Sequence, residues 1–188
     1  MATVTESSLI TGVYHVQPAV HGDARGIFVE TYRREWFPQG REMIQGNRVD
    51  RQAGALVGLH FHLHQADYWY VPAGRARVVL HDLRAGSPTD RATLCFDLGT
   101  RADGTHDHSG VFIPPGVAHG FAAHTQLILT YLVDGYYNIA DELGVAWDDP
   151  EIAADWGITV PVLSGRDQAN PKRAEIAEAS RPVWPLRT

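Results

Sequence analysis

Three histidines alternate along one apolar segment of the chain, and their side chains are candidates for metal binding or proton transfer. His60, His62 and His64 are separated by Phe61 and Leu63, in a run that is typical of a β-strand. Because successive side chains of a strand point to opposite faces, this spacing places the three imidazoles on one face. An imidazole binds divalent metals and also accepts a proton near neutral pH. The segment therefore predicts a functional site.

Asp67 and His119 extend this group to a candidate metal centre. Asp67 follows the histidines after a predicted bend, and His119 follows the sharp turn Pro114-Pro115-Gly116. Neutral imidazoles together with one carboxylate suit Zn, Fe, Mn or Ni. We expect either one divalent ion or no cofactor at all, in which case the histidines form hydrogen bonds or transfer protons. The candidate ligands are His60, His62, Asp67 and His119.

The remainder of the chain predicts many short strands and few helices. Its 188 residues include 18 Gly and 11 Pro, and turn signals recur every 8–12 residues between β-branched and aromatic runs. This pattern favours a sandwich or barrel. We predict an N-terminal arm over residues 1–11, one β domain over 12–165 and a C-terminal tail over 166–188. Within the tail, residues 172–180 have the composition of a short surface helix.

Composition and charge limit the classes of partner. The net charge of −6 argues against a protein that binds duplex nucleic acid, which would present a basic face. Cys95 is the only cysteine, so no intrachain disulfide forms. No apolar run approaches 18 residues, and the N-terminus lacks the features of a signal peptide. We therefore expect a cytoplasmic protein with no membrane partner.

The spacing of the candidate ligands resembles the two signatures of the cupin superfamily. Gly54-x5-His60-x-His62-x4-Asp67-x6-Gly74 resembles the first signature, with Asp in place of the usual Glu, and Pro114-x-Gly116-x-x-His119 resembles the second. The resemblance implies an all-β fold, the double-stranded β-helix or jelly-roll barrel. It also assigns the four ligand roles to the residues already named, while His64 has no place in the signature.

A second set of motifs covers most of the chain, from about residue 12 to 167. In chain order these motifs are Asp23-Ala-Arg25-Gly26-Ile-Phe28-Val-Glu30, Gln45-Gly-Asn47, Gly58-Leu59-His60-Phe61, Asp82-Leu83-Arg84-Ala-Gly-Ser87-Pro-Thr89, Gly116-Val-Ala-His119-Gly120-Phe121, Tyr131, Tyr137 and Trp147-Asp-Asp149-Pro150. Together they resemble the dTDP-4-dehydrorhamnose 3,5-epimerase family, and this resemblance implies a jelly-roll cupin, a homodimer, and a metal-free reaction on nucleotide-linked 4-keto-6-deoxy sugars.

This family resemblance implies a role for each matching residue. His60 matches the catalytic base and Tyr131 the catalytic acid. A proton on a carbon next to a ketone is acidic because the resulting anion delocalises onto oxygen, so a base and an acid on opposite faces can invert that carbon. The positions implied to contact substrate are Arg25, Glu30, Gln45, Asn47, His119 and Tyr137.

Three positions depart from the family pattern. Val57 stands where the family has an arginine, and Asp67 stands where it has a lysine that helps to stabilise the enolate. Gly165 replaces the aspartate that is expected to orient the catalytic histidine. The sequence therefore predicts a base without its orienting carboxylate and an enolate site of reversed charge. One hypothesis is that Asp67 and His62 restore a metal site whose ion supplies the missing positive charge.

These observations leave three function classes. The first is an epimerase or isomerase acting by proton abstraction next to a ketone, with single epimerisation, another sugar or ketone isomerisation favoured over double epimerisation. The second is a metal-dependent cupin enzyme, such as a cyclase, lyase or dioxygenase, that acts on another small molecule. The third is a non-catalytic cupin that binds a metabolite.

Overall fold

The computed structural model describes residues 1–37 and 41–185, and these fold into two facing six-stranded antiparallel sheets. The first sheet has the order β1 (Thr3–Glu6), β2 (Tyr14–Gln17), β11 (Gly110–Ile113), β7 (Asp67–Ala73), β13 (Leu127–Val133) and β5 (Gln45–Arg51). The second has the order β10 (His106–Asp107), β9 (Thr93–Thr100), β8 (Arg75–Asp82), β12 (Val117–Ala123), β6 (Leu56–Phe61) and β14 (Leu143–Gly144). The prediction of an all-β jelly roll is confirmed.

A separate hairpin, one short α-helix and several 3-10 turns, including Arg34–Trp36 and Ile139–Asp141, complete the regular structure of the described residues. Strands β3 (Val20–Asp23) and β4 (Gly26–Val29) pair only with each other. The helix α1 (Gly165–Gln168) begins after Ser164, whose side chain accepts a hydrogen bond from the Asp167 backbone N–H. No helix in the described part of the chain is long and apolar enough to cross a bilayer.

The hydrophobic core lies between the two sheets, and the alternation of strand residues explains it. On β8, the side chains of Ala76, Val78 and Leu80 belong to the inter-sheet core. The intervening Val79 packs on the outer face of the second sheet, in a cluster that includes Trp156. Both faces of β8 are therefore buried, because the C-terminal part of the chain covers the second sheet.

Two glycines allow β6 and β12 to approach each other closely near the predicted site. A Cβ added at Gly58 would lie 2.7 Å from the Cα of Gly120, and Gly58 has φ +114°. The pairing of these strands shifts register between His119 and Phe121, while His119 remains opposite His60. The close approach therefore brings two of the candidate histidines side by side on one sheet.

The prediction that His60, His62 and His64 share the face of one strand is wrong. Strand β6 ends at Phe61, and His64 is exposed. The carboxylate of Asp141 accepts hydrogen bonds from the backbone N–H groups of Leu63 and His64, at 2.6 and 3.2 Å. Because those groups are bonded to a side chain, they do not extend the strand.

The two chain ends also differ from their predicted form. The predicted arm, residues 1–11, contains β1, which forms the edge of the first sheet. The helix predicted over residues 172–180 is wrong, since two separate 3-10 turns, Arg173–Glu175 and Glu178–Ser180, occupy it. The buried Arg173 side chain donates to Asp90 at 2.6 Å, and this contact outweighs local helix propensity. Residues 186–188 of the predicted tail lie outside the described residues.

Candidate active site

A cavity of about 240 Å³ opens between the two sheets, and the five predicted catalytic and metal-binding side chains line it. His60 and His119 reach it from β6 and β12 of the second sheet. Asp67 and Tyr131 reach it from β7 and β13 of the first sheet. The two sheets therefore present different side chains to a molecule held between them.

His60 is held by a carboxylate that the sequence did not identify. Its Nε2 lies 2.6 Å from Oδ1 of Asp167, whose side chain is only 4% exposed. An ionised carboxylate accepts hydrogen bonds only, so Nε2 carries the proton and Nδ1 keeps its lone pair. The prediction of a base without an orienting carboxylate is wrong: Asp167 does this, two residues after the predicted position.

Asp167 is itself fixed in the ionised form. Its Oδ2 accepts a hydrogen bond from the Ser164 hydroxyl at 2.8 Å. Burial alone would raise the pKa of Asp167, but the hydrogen bonds from His60 and Ser164 and the nearby charge of Arg166 lower it overall. The carboxylate is therefore ionised at neutral pH and accepts the hydrogen bond from His60 as an anion.

Tyr131 lies on the opposite wall of the cavity from His60. It is half-buried on β13, where it pairs with Trp69 of β7 and Asn47 of β5. Burial, followed by the negative charges of Asp67 and Glu142, raises the pKa of the Tyr131 phenol. The hydroxyl is therefore protonated at neutral pH and can donate a proton into the cavity.

Three of the four candidate metal ligands form a buried group, and His60 is not part of it. One ligand atom from each of His62, Asp67 and His119 lies within 4.8 Å of the others. His119 Nε2 is 3.9 Å from Oδ2 of Asp67, and the rings of His62 and His119 are 5.4 Å apart between centroids. This group, named here the cavity triad, contains the side chains that could hold a divalent ion.

The cavity triad is oriented by hydrogen bonds from outside it. Nδ1 of His62 lies 2.7 Å from the Asp141 carbonyl oxygen, and Nδ1 of His119 lies 3.0 Å from the Val117 carbonyl oxygen. The carboxylate of Asp67 accepts from Gln65 Nε2 and from Trp69 Nε1, both at 3.0 Å.

His119 is neutral in the folded protein. Burial, the largest effect, lowers its pKa to about 4, and the positive charge that nearby His62 would carry also lowers it. The negative charge of Asp67 opposes this shift but does not cancel it. At neutral pH, His119 is therefore a lone-pair donor rather than a cation.

The predicted substrate contacts fall into two groups. Gln45 and Asn47 lie on β5, on the same face as Val49 and Arg51, which line the cavity. Gln45 Nε2 donates to Asn47 Oδ1 at 3.0 Å, so the two amides form one polar patch that continues this wall. His119 lies inside the cavity itself.

The structure does not bring Arg25, Glu30 or Tyr137 to the cavity of the same chain. The Arg25 side chain, in the turn of the β3–β4 hairpin, is 89% exposed and pairs with Asp23. Glu30 accepts hydrogen bonds from Arg33, and Tyr137 is 67% exposed. These three residues lie on the surface of the single chain.

Three charged residues of the cavity were missed in the sequence. Arg51, Glu142 and Arg166 all line it, and Arg166 donates to Glu142 at 3.0 Å. Arg51 could have been found, because it follows Gln45 and Asn47 at alternate positions of one strand. Glu142 gave no local signal, since its position depends on the adjacent β14, which pairs with the distant strand β6.

Comparison with known proteins identifies the family to which the chain is similar. The model of the family described as dTDP-4-dehydrorhamnose 3,5-epimerase matches residues 7–175. A dTDP-4-dehydrorhamnose 3-epimerase of Streptomyces niveus is 36% identical over 178 residues, which cover 90% of this chain and 84% of the relative.

Solved structures give the same result. A 4-keto-6-deoxy sugar epimerase from the novobiocin gene cluster of Streptomyces spheroides superposes with a TM-score of 0.88 at 32% identity, covering 98% of this chain and 94% of that one. An epimerase of Legionella pneumophila, solved with dTDP-4-keto-L-rhamnose, has a TM-score of 0.88 at 27% identity, covering 98% and 99%. The chain belongs to the dTDP-4-dehydrorhamnose 3,5-epimerase family, a family of sugar epimerases.

Proposed function

We propose that this protein epimerises a nucleotide-linked 4-keto-6-deoxy sugar at a carbon next to the ketone. The observation that carries the proposal is the His60–Asp167 pair on one wall of the cavity, with a protonated Tyr131 on the other. A base and an acid on opposite walls are the arrangement that inversion of a carbon centre requires. Relatives named as dTDP-sugar epimerases support the substrate class.

The reaction follows from the protonation states of the two groups. Nδ1 of His60 takes the proton of the carbon, and the electrons of the broken C–H bond pass to the ketone oxygen as an enolate. Asp167 stabilises the imidazolium that forms. The Tyr131 hydroxyl then gives its proton to the opposite face of the carbon as the ketone re-forms, and solvent exchange restores both side chains.

Arg51 and Arg166 are two candidates for the phosphate contact that is lost where Val57 replaces the family arginine. Both line the cavity, and a guanidinium binds phosphate oxygens in a bidentate manner. We propose that they contact the diphosphate of the substrate, beside the polar patch of Gln45 and Asn47. Replacing Arg51 with Gln should raise KM about 10-fold with little change in kcat, because a charged hydrogen bond to the substrate is lost.

We propose a homodimer in which the β3–β4 hairpin packs against a second copy. Ile27 and Phe28 on this hairpin are 61% and 68% exposed, which is unusual for large apolar side chains. Such a contact would bring Arg25 and Glu30 of one chain towards the cavity of the other. Light scattering should give twice the chain mass, and Phe28→Ser should lower it; a monomeric wild type contradicts the proposal. The cytoplasmic location stays a prediction.

The epimerase proposal is tested with a dTDP-linked 4-keto-6-deoxy sugar in D2O. Wild-type protein should incorporate deuterium next to the ketone, and His60→Asn should lower this exchange by about 10²- to 10⁴-fold. Tyr131→Phe should retain exchange, because its base is intact, but should lose inversion. His64→Asn is the matched control, since His64 is exposed and outside the cavity lining. Absence of exchange in the wild type at both carbons would refute the proposal.

A further inference from the structure

The cavity triad has no role in the proton transfers described above, although its members are among the most buried polar residues in the described chain. His62, Asp67 and His119 are 5%, 3% and 6% exposed. Burying a carboxylate and two imidazoles is costly unless each finds a partner. The atoms that face one another within the triad therefore require an explanation.

The outer hydrogen bonds fix which atoms face inwards. Backbone carbonyl oxygens only accept, so the protons of His62 and His119 lie on the Nδ1 atoms bonded to Asp141 and Val117. Each ring then has a lone pair on Nε2, and neither Nε2 has a hydrogen-bond partner among residues 1–37 and 41–185. Two lone pairs and a carboxylate thus lie together in one part of the cavity lining.

The carboxylate of Asp67 is also held from outside. Gln65 and Trp69 each donate one hydrogen bond to it, which orients the group and leaves it further acceptor capacity towards the histidines. The space between the three side chains is therefore surrounded by acceptors, with no hydrogen-bond donor from the triad. Mutual repulsion of these lone pairs would be relieved by a cation.

We propose that His62, Asp67 and His119 bind one divalent transition-metal ion, and that His60 remains outside its coordination sphere. Two imidazoles and one carboxylate form a facial set of three ligands that leaves other coordination positions open. The outer carbonyl groups that accept from the two rings are the kind of partner that metal-bound histidines use to fix their tautomer. The four-ligand set expected from the sequence is thereby reduced to three.

The three ligand atoms all lie within 4.8 Å of one another, so the side chains must converge by at most about 1.4 Å to bind one ion. Metal–nitrogen bonds of about 2.0–2.1 Å at tetrahedral angles place neighbouring ligand atoms about 3.4 Å apart. The observed distance of 3.9 Å between His119 Nε2 and Asp67 Oδ2 therefore requires a shift of about half an ångström.

The position of the ion has a consequence that rests on the proposed function. When bound, a divalent ion supplies Lewis-acid charge for an enolate oxygen in the cavity. His60, held by Asp167 outside the triad, stays free to act as the base. His60 would then hold the proton removed from the substrate, and the ion would stabilise the negative charge of the enolate.

Metal content of the full chain, purified without a histidine tag, tests the inference in the absence of substrate. Wild-type protein, stripped with chelator and reloaded with Zn²⁺, Fe²⁺, Mn²⁺, Ni²⁺ or Co²⁺ in turn, should retain about one ion per chain with at least one metal. Asp67→Asn and His119→Gln should each lower the affinity by at least about 10²-fold. His60→Asn and His64→Asn are matched controls that should bind metal as the wild type does.

Two further readouts separate ligation from loss of folding. Co²⁺-loaded wild type should show visible absorption bands of a protein-ligated ion that Asp67→Asn lacks. Metal at a hundredfold excess over its Kd should raise Tm by about 5 °C in the wild type but not in Asp67→Asn, whose far-UV circular dichroism should be unchanged.

Three results would overturn the inference. These are a wild type that retains no ion from any of the metals, equal metal content in wild type and Asp67→Asn, or loss of metal in His60→Asn. Because none of these measurements uses substrate, failure of the metal inference and failure of the epimerase proposal are distinct results.

Discussion

The histidines of the cavity are held in two opposite ways, although they lie side by side. His60 donates from Nε2 to a carboxylate, Asp167, and keeps the lone pair on Nδ1. His62 and His119 donate from Nδ1 to backbone carbonyl oxygens and present Nε2 lone pairs to Asp67. The group that accepts a hydrogen bond from each imidazole therefore distinguishes a proton acceptor from a candidate metal ligand. The position of the histidine along the strand does not.

The largest effect, on kcat/KM, should follow from removing the carboxylate that accepts the hydrogen bond from His60. Asp167→Asn keeps the shape of the side chain but no longer stabilises the imidazolium, so kcat/KM should fall by about 10²- to 10⁴-fold. Metal binding by the cavity triad should be unchanged. Steady-state kinetics and metal analysis on one preparation check this prediction. The control is Asp103→Asn, which alters an exposed carboxylate. Wild-type activity in Asp167→Asn would contradict the claim that Asp167 gives His60 a different role from His62 and His119.

A smaller effect, on metal affinity, should follow from removing the indole N–H that donates to Asp67. Trp69→Phe removes the hydrogen bond from Nε1 to Oδ2 of Asp67 and keeps an aromatic ring in the cavity wall. Metal affinity should fall about 10- to 100-fold, as is usual when a partner of a ligand is removed. The control is Trp36→Phe, which alters a separate hydrophobic cluster. Unchanged affinity in Trp69→Phe would show that Asp67 does not depend on this bond.

His119 and Asp167 should also contribute to the pH dependence of the free energy of unfolding in different pH ranges. The pKa of His119 is lowered to about 4, so the unfolded chain binds more protons than the native one between pH 6.5 and about 4. Stability should therefore fall as pH falls through this range, by up to about 1.4 kcal/mol per pH unit. The pKa of Asp167 is also lowered, but its contribution is lost only below about pH 4.

Urea unfolding of chelator-treated protein checks these ranges. His119→Gln should reduce the slope of stability against pH between 6.5 and 4.5, whereas replacement of the exposed His64 by Asn should leave that slope unchanged. His81, a second buried histidine whose pKa burial lowers to about 4, contributes to the same range and stays in both variants. Equal slopes in wild type and His119→Gln would contradict the neutral state of His119.

The sequence predicted the fold well because its signals were local. Alternating apolar residues and the turn Pro114-Pro115-Gly116 define strands and corners of a jelly roll, and the resemblance to the epimerase family supplied the class. The N-terminal strand was missed because its partner, β2, decides its conformation. The C-terminal helix was predicted on propensity alone, but the contacts of Arg173 with Asp90 and Asp149 determine that segment.

The candidate site was only partly predictable. The residues of the cavity triad followed from their spacing, but period 2 could not reveal that Asp141 ends the strand before His62. Asp167 was missed because its contact with His60 spans 107 positions, and the expected carboxylate position held Gly165. Side-chain contacts between distant segments leave no periodic signal in the sequence.

The most direct test of the account is a single turnover of the dTDP-linked keto sugar in D2O. Because base and acid lie on opposite walls, the proton that returns comes from Tyr131, whose hydroxyl exchanges with solvent. The account predicts that the inverted carbon carries deuterium in nearly every product molecule. An inverted product that retains the substrate's own hydrogen would contradict it, since one group would then both remove and return the proton.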